Sequence, residues 1–171
     1  MTTHISFIGG GNMATAIIGG LIKRGMTASQ FEVVEPLAEA RERLLADFGI
    51  QAMNNPGAAL AQSQLVVWAV KPQTFKEAAL MTRFHTRQAL HLSVAAGIRS
   101  DSIASWLGTQ RIVRAMPNTP ALVGKGMTAL FGRPAVTADD RALVERVIET
   151  TGHFLWVDKE ADLDAVTALS G

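Results

Sequence analysis

The residues best suited to chemistry stand in five short clusters, each placed directly after an apolar run. They are Ile8-Gly9-Gly10-Gly11-Asn12-Met13, Glu35-Pro36, Ala69-Val70-Lys71-Pro72, Ser93 to Ala95-Ala96-Gly97, and Met116-Pro117-Asn118-Thr119-Pro120. In the first, Gly9-x-Gly11-x-x-Ala14 lies between an apolar strand and an amphipathic helix. That order builds a pyrophosphate site. Gly9 lets the chain turn sharply, Gly11 removes a side chain where backbone must approach phosphate, and Ala14 keeps helix and strand close. The N–H groups of the first helical turn then face the anion, backed by the positive end of the helix dipole. A structural glycine turn has the same composition; the strand before it and the helix after it favour the dinucleotide.

The other clusters add polar groups along the same rim. Glu35 ends a strand where an acidic residue holds the adenine ribose hydroxyls, which favours NAD because a carboxylate repels the extra phosphate of NADP. The alternative is a solvated strand end. The next basic residues, Arg41 and Arg43, come later than expected for a 2′-phosphate clamp. Lys71 follows an apolar strand and precedes Pro72, and either offers its ammonium to phosphate or substrate carboxylate or is an exposed cation at the sheet edge. In Met116-Pro117-Asn118-Thr119-Pro120 two prolines stiffen a backbone that presents the donors and acceptors of Asn118 and Thr119, suited to an amide-bearing nicotinamide ring. No His/Asp or Lys/Tyr relay and no nucleophile elbow is recognisable.

Positioning these clusters requires a particular run of elements. Apolar runs predict strands over 4–8, 31–35, 65–70, 89–94, 111–115, 127–131 and 153–157, with a short one at 50–52. Helical periodicity covers 12–24, 37–48, 57–62, 72–81, 100–107, 138–151 and 158–169. In 37–48 the apolar face is Leu37, Ala40, Leu44, Leu45 and Phe48, and Gly49 closes the helix. Ser100 or Asp101 caps the helix ending at Leu107, and Thr137 caps the one after it. The run 65–70 lacks polar alternation, as a central parallel strand does. Strands alternating with helices predict an α/β fold: a Rossmann-type doubly wound, mainly parallel sheet with helices on both faces. Residues 1–157 form that domain, and 158–171 begin a helix leading elsewhere.

Composition narrows the function. The chain has 171 residues and a formal net charge of +1, with no Lys/Arg run, so neither nucleic acid nor an anionic membrane is a partner. There is no cysteine, which excludes disulfides, Cys-based zinc and a thiol nucleophile. The four histidines are far apart and lack metal-ligand spacing; each is expected at the surface or a strand end, and no metal is expected. No apolar run spans a bilayer and no secretory signal is recognisable, so a cytoplasmic location is expected.

Taken in order, Phe-Ile-Gly-Gly-Gly-Asn-Met-Ala, Ala-Val-Lys-Pro-Gln, Ser-Val-Ala-Ala-Gly and Arg-Ala-Met-Pro-Asn-Thr-Pro-Ala resemble pyrroline-5-carboxylate reductase over essentially the whole chain. The resemblance implies hydride transfer from NADPH to the C=N bond of 1-pyrroline-5-carboxylate, giving L-proline. It implies cofactor contacts at Ile8 to Met13, Glu35, Asn55 or Asn54, Ala69 to Pro72, and Ala95 to Gly97. Asn118 then lies beside the nicotinamide, with Met116, Pro117 and Thr119 near substrate. Glu35 departs from the small or hydroxyl residue expected there, leaving NAD open beside NADP. The resemblance also implies a further helical domain that forms homo-oligomers and supplies most substrate contacts, so this chain is expected to be the cofactor half and a poor catalyst alone. The competing readings are a non-catalytic NAD(P)-binding module, or the cofactor domain of a β-hydroxyacid or prephenate dehydrogenase.

Overall fold

The computed structural model describes residues 2–118 and 125–164. Strands β1 (Ile5–Ile8), β2 (Phe31–Val34), β3 (Leu65–Trp68), β4 (Leu90–Ser93) and β5 (Ile112–Met116) run parallel. Strand β6 (Gly126–Gly132) is antiparallel to β5, and β7 (Gly152–Trp156) is parallel to β6. The order across the sheet is β2-β1-β3-β4-β5-β6-β7. Helices α1 (Asn12–Lys23), α2 (Ala38–Phe48), α3 (Pro72–Thr82), α4 (Ser100–Leu107) and α5 (Ala138–Ile148) complete the doubly wound α/β architecture that the alternation predicts.

Why the central strand lacks polar residues is now plain. Successive side chains of a strand point to opposite faces, and helices cover both faces of β3. Leu65 and Val67 pack with Ile17 and Ile18 of α1 and Val144 and Val147 of α5. Val66 and Trp68 pack with Phe75 and Ala79 of α3 and Ile103 of α4. Trp68 stacks on Phe75 with ring centroids 4.7 Å apart. Each fully buried large apolar side chain contributes about 1.5–3 kcal/mol, so these two layers set the fold. Local signals agree with it: Gly49 closes α2 in the left-handed conformation, and Thr137 and Asp140 form a reciprocal capping box on α5.

Five expectations change. Residues 50–52 are not a strand; only Met53 bridges to Val34, its N–H reaching Val33 O and its carbonyl receiving Glu35 N–H. Leu37 and Leu45 are exposed, because α2 lies at the sheet edge and turns only Ala40, Leu44 and part of Phe48 inward. Neither Ser100 nor Asp101 caps α4: Arg99 holds the cap position, and the Ser100 hydroxyl and N–H are both taken by Glu160 from a remote segment. Helix α5 stops at Ile148 and tightens into a 3-10 turn over Glu149–Thr151. His91 is in the core rather than at the surface, its Nδ1 accepting the Trp68 indole N–H at 2.9 Å. Thr119, Pro120 and the part of the expected helix beyond Asp164 lie outside the described residues; helical geometry begins at Asp162.

Candidate functional site

Strand β1 has β2 on one side and β3 on the other, so the connections leaving its carboxyl end diverge and open a crevice there. Gly9 makes the turn with φ +98°, its N–H donating to Val34 O at 2.8 Å. A Cβ on Gly9 would stand 2.3 Å from the Ala69 carbonyl oxygen, so β1 and β3 can meet here only without a side chain. Gly10 is held from the other flank: a Cβ there would sit 2.8 Å from Leu44 Cδ1, and its N–H donates to Glu35 Oε1. Gly11 differs. It is the N-cap of α1, makes no side-chain cap, is exposed, and a Cβ on it would meet no protein atom within 4 Å. The first-turn N–H groups of α1 therefore face open space with no side-chain acceptor from their own cap, an arrangement that binds anions. Ala14 is fully buried against the sheet.

Two basins flank this turn. The first, about 320 Å³, is lined by Ile8, Gly9, Val34, Pro36, Asn54, Asn55 and Val70, together with Thr74, Glu77, Ala78 and Met81 of α3. The second, about 250 Å³, is lined by Met13, Ala69, Val70, Lys71, Ala95 and Ala96. Val70 belongs to both, so they form one groove along the rim. Lys71 is exposed at the N-cap of α3, with Pro72 at its first position and no ion-pair partner among the described residues. Asn12 is exposed at the first position of α1, and Gly97, with φ +75°, turns the chain just beyond the second basin.

Other residues picked from the sequence lie off the groove lining. Glu35 is buried behind the glycine turn, its oxygens accepting from Gly10 N–H and Leu37 N–H, both at 2.8 Å. Asn118 accepts from Met127 N–H at 3.2 Å, tying the Met116-Pro117-Asn118 exit of β5 to the start of β6. The α3 stripe Thr74, Glu77, Ala78 and Met81 also lines the groove, with no chemical motif in the sequence to mark it. Its helical spacing beside the buried Phe75, Ala79 and Thr82 was the available signal.

Beneath the β5 exit, Arg114 is buried and its guanidinium donates to Glu160 Oε2 at 2.7 Å. Glu160 also receives Ser100 N–H at 2.6 Å and the Ser100 hydroxyl at 2.5 Å. Burial pushes the Glu160 carboxyl up, but the Ser100 bonds and the Arg114 charge together outweigh it and hold the group below the usual carboxylate range. Among the described residues there is no metal-ligating cluster and no helix long and apolar enough to cross a membrane.

Residues 4–97, a span that takes in both basins, match the family described as NADP oxidoreductase, coenzyme F420-dependent. The chain belongs to that family. Over 99% of its length it is 40% identical to the pyrroline-5-carboxylate reductase of Pseudomonas aeruginosa, of which it covers 63%. It matches the solved structure of a pyrroline-5-carboxylate reductase from Coxiella burnetii with a TM-score of 0.93 and 33% identity, over 100% of this chain and 64% of that one. The Plasmodium falciparum pyrroline carboxylate reductase, solved with NADP bound, matches with a TM-score of 0.83 at 23% identity over 99% of this chain and 62% of that one. At that identity the likeness shows the shared fold. The chain thus spans 63% of the length of the Pseudomonas relative, and the family resemblance read from its motifs holds along nearly all of it.

Proposed function

We propose that this chain is the dinucleotide-binding part of a pyrroline-5-carboxylate reductase that uses NADPH in preference to NADH. In this reading residues 1–157 are the cofactor domain, and the segment from 158 onward leads toward the substrate-binding part of the enzyme. The observation that carries it is the uncapped α1 terminus behind Gly11, set at the sheet's switch point in a chain so similar to the Pseudomonas reductase. The residues present fit a nicotinamide dinucleotide. The N–H groups of Gly11 to Met13 take the pyrophosphate, the first basin takes the adenosine between Pro36, Asn55 and the α3 stripe, and the second takes the nicotinamide end beside Ala95 and Ala96.

The cofactor, when bound, supplies a hydride. A protonated imine accepts hydride at carbon and keeps its proton on nitrogen as the C=N bond becomes a single bond, so no protein nucleophile is required. The chain's own contribution is alignment and charge. Backbone donors at the glycine turn fix the phosphates, small residues at Ala69, Ala95 and Ala96 let a planar ring lie against the rim, and the Lys71 ammonium stands where it attracts a carboxylate. Met116, Pro117 and Asn118 border the substrate side. Titrating NADPH into the protein, then following its oxidation at 340 nm with and without 1-pyrroline-5-carboxylate, tests the reading. Saturable NADPH binding with imine-dependent proline formation is the expected result for the enzyme that contains this chain. Failure of the chain to bind any nicotinamide dinucleotide would overturn it.

A further inference from the structure

Resting on that reading, the groove must tell NADP from NAD at the end of β2, beside Glu35 and Arg41. A carboxylate at the end of β2 ordinarily argues for NAD, because it faces the ribose hydroxyls and repels a 2′-phosphate. The Glu35 carboxylate does not face the groove. One oxygen accepts Gly10 N–H and the other accepts Leu37 N–H, each at 2.8 Å, and the residue is 7% exposed. It joins the glycine turn after β1 to the N-cap of α2, satisfying the buried Gly10 N–H and the N–H of the cap residue Leu37.

Arg41 lies six residues beyond Glu35 in sequence yet returns to the same place. From the first turns of α2 its guanidinium folds back, and one terminal nitrogen donates to both the Glu35 carbonyl at 2.9 Å and the Pro36 carbonyl at 2.8 Å. Both hydrogens of that nitrogen are thereby used. The Nε–H and the two hydrogens of the other terminal nitrogen have no acceptor among the described residues, and the residue is only partly buried. A guanidinium edge of this kind matches two phosphate oxygens at once. It is anchored to the carbonyl of Pro36, which itself lines the first basin. Arg43, two residues on, is exposed and makes no hydrogen bond or ion pair among the described residues.

We propose that Arg41, and not Glu35, sets the choice of dinucleotide: the open edge of its guanidinium holds the 2′-phosphate of NADP, while Glu35 braces the glycine turn for either cofactor. The experiment measures dissociation constants for NADPH and NADH by calorimetry on the wild-type chain and on Arg41→Met, Arg41→Lys, Arg43→Met and Glu35→Gln, with thermal melts as a folding control. Wild type should prefer NADPH. Losing a charge-assisted pair of hydrogen bonds should weaken NADPH about tenfold or more in Arg41→Met. NADH affinity should change by less than about threefold in that variant, and Arg41→Lys should fall between it and wild type. Arg43→Met removes the same charge from a residue that is not anchored, and should match wild type. Glu35→Gln should lower the melting temperature and weaken both cofactors by a common factor, leaving their ratio unchanged. An unchanged ratio in Arg41→Met, or a ratio shifted toward NADPH in Glu35→Gln, overturns the assignment. If wild type binds both dinucleotides equally, the groove stands and the Arg41 assignment alone falls; if it binds neither, both fall together.

Discussion

Gly9 and Gly11 belong to one motif but face different obstacles, and exchanging each for alanine separates them. At Gly9 an alanine must adopt φ +98°, and its Cβ would meet the Ala69 carbonyl oxygen at 2.3 Å and carbon at 2.8 Å. Left-handed backbone costs about 1–2 kcal/mol for a residue with a Cβ. Relieving a contact with backbone, which cannot rotate away as a side chain can, adds about 1–3 kcal/mol. Gly9→Ala should therefore lose about 3 kcal/mol, a drop of about 6–12 °C in melting temperature for a chain of this size. At Gly11 the backbone has φ −81° and ψ −159°, which alanine adopts freely, and no protein atom lies within 4 Å of the new Cβ. Gly11→Ala should cost at most about 1 kcal/mol, as a slightly poorer helix cap. On the proposed reading, the same Cβ obstructs the approach of the pyrophosphate to the α1 N–H groups. NADPH affinity should fall about 10- to 100-fold, equivalent to about 1.4–2.8 kcal/mol. Urea unfolding followed by tryptophan fluorescence reads the first quantity, and calorimetric titration of NADPH reads the second. Wild-type affinity in Gly11→Ala, or wild-type stability in Gly9→Ala, would refute the division of labour between the two glycines.

Two further predictions concern buried ionisable groups. Burial is the main reason the His91 pKa falls from 6.5 to about 4; nearby Arg111 adds to the fall, while the Thr86 backbone opposes it without making a hydrogen bond to Nε2. The depressed value means the folded state holds His91 neutral, so its contribution is intact above pH 6.5 and is lost progressively as the pH drops to about 4. The loss approaches about 3 kcal/mol over that window, and unfolding curves at pH 7, 5.5 and 4.5 should show a shallower pH slope in His91→Gln than in wild type; equal slopes would count against it. Glu160→Gln leaves the buried Arg114 charge without its counter-ion. Such a loss costs about 3–5 kcal/mol when fully buried, and here about 2–3 kcal/mol because the Glu160 side chain retains 16% exposure. A denaturation midpoint equal to wild type would show that the clasp contributes nothing.

Much of the fold could be read from the chain directly, because the signals involved are local. The strand–glycine–helix order of residues 5–18, the unbroken apolar run ending at Trp68, the proline at the start of α3 and the Thr137 cap each depend on neighbours within a few positions. Misreadings arose where a distant segment decided. Leu37 and Leu45 fit a helical face, but only packing shows that the sheet edge leaves them in solvent. His91 is expected at the surface or a strand end, and only the register of β4 beside β3 places its Nδ1 within reach of the Trp68 indole. Ser100 looks like a cap until Glu160 arrives from sixty residues away to take its hydroxyl.

The same division runs through the candidate site. Residue types and spacing determined that a dinucleotide turn follows β1, because glycine's freedom at positive φ and a helix's exposed N–H groups are properties of short segments. Tertiary structure decided how the surrounding charges are used. Position alone made Glu35 the group facing the ribose and set Arg41 too far along to matter. Folding reversed their orientations, sending the carboxylate inward to Gly10 and the guanidinium back to Pro36. A side chain several bonds long can reach different partners from one backbone position. Which one it reaches depends on the donors and acceptors that the rest of the chain brings within hydrogen-bonding distance.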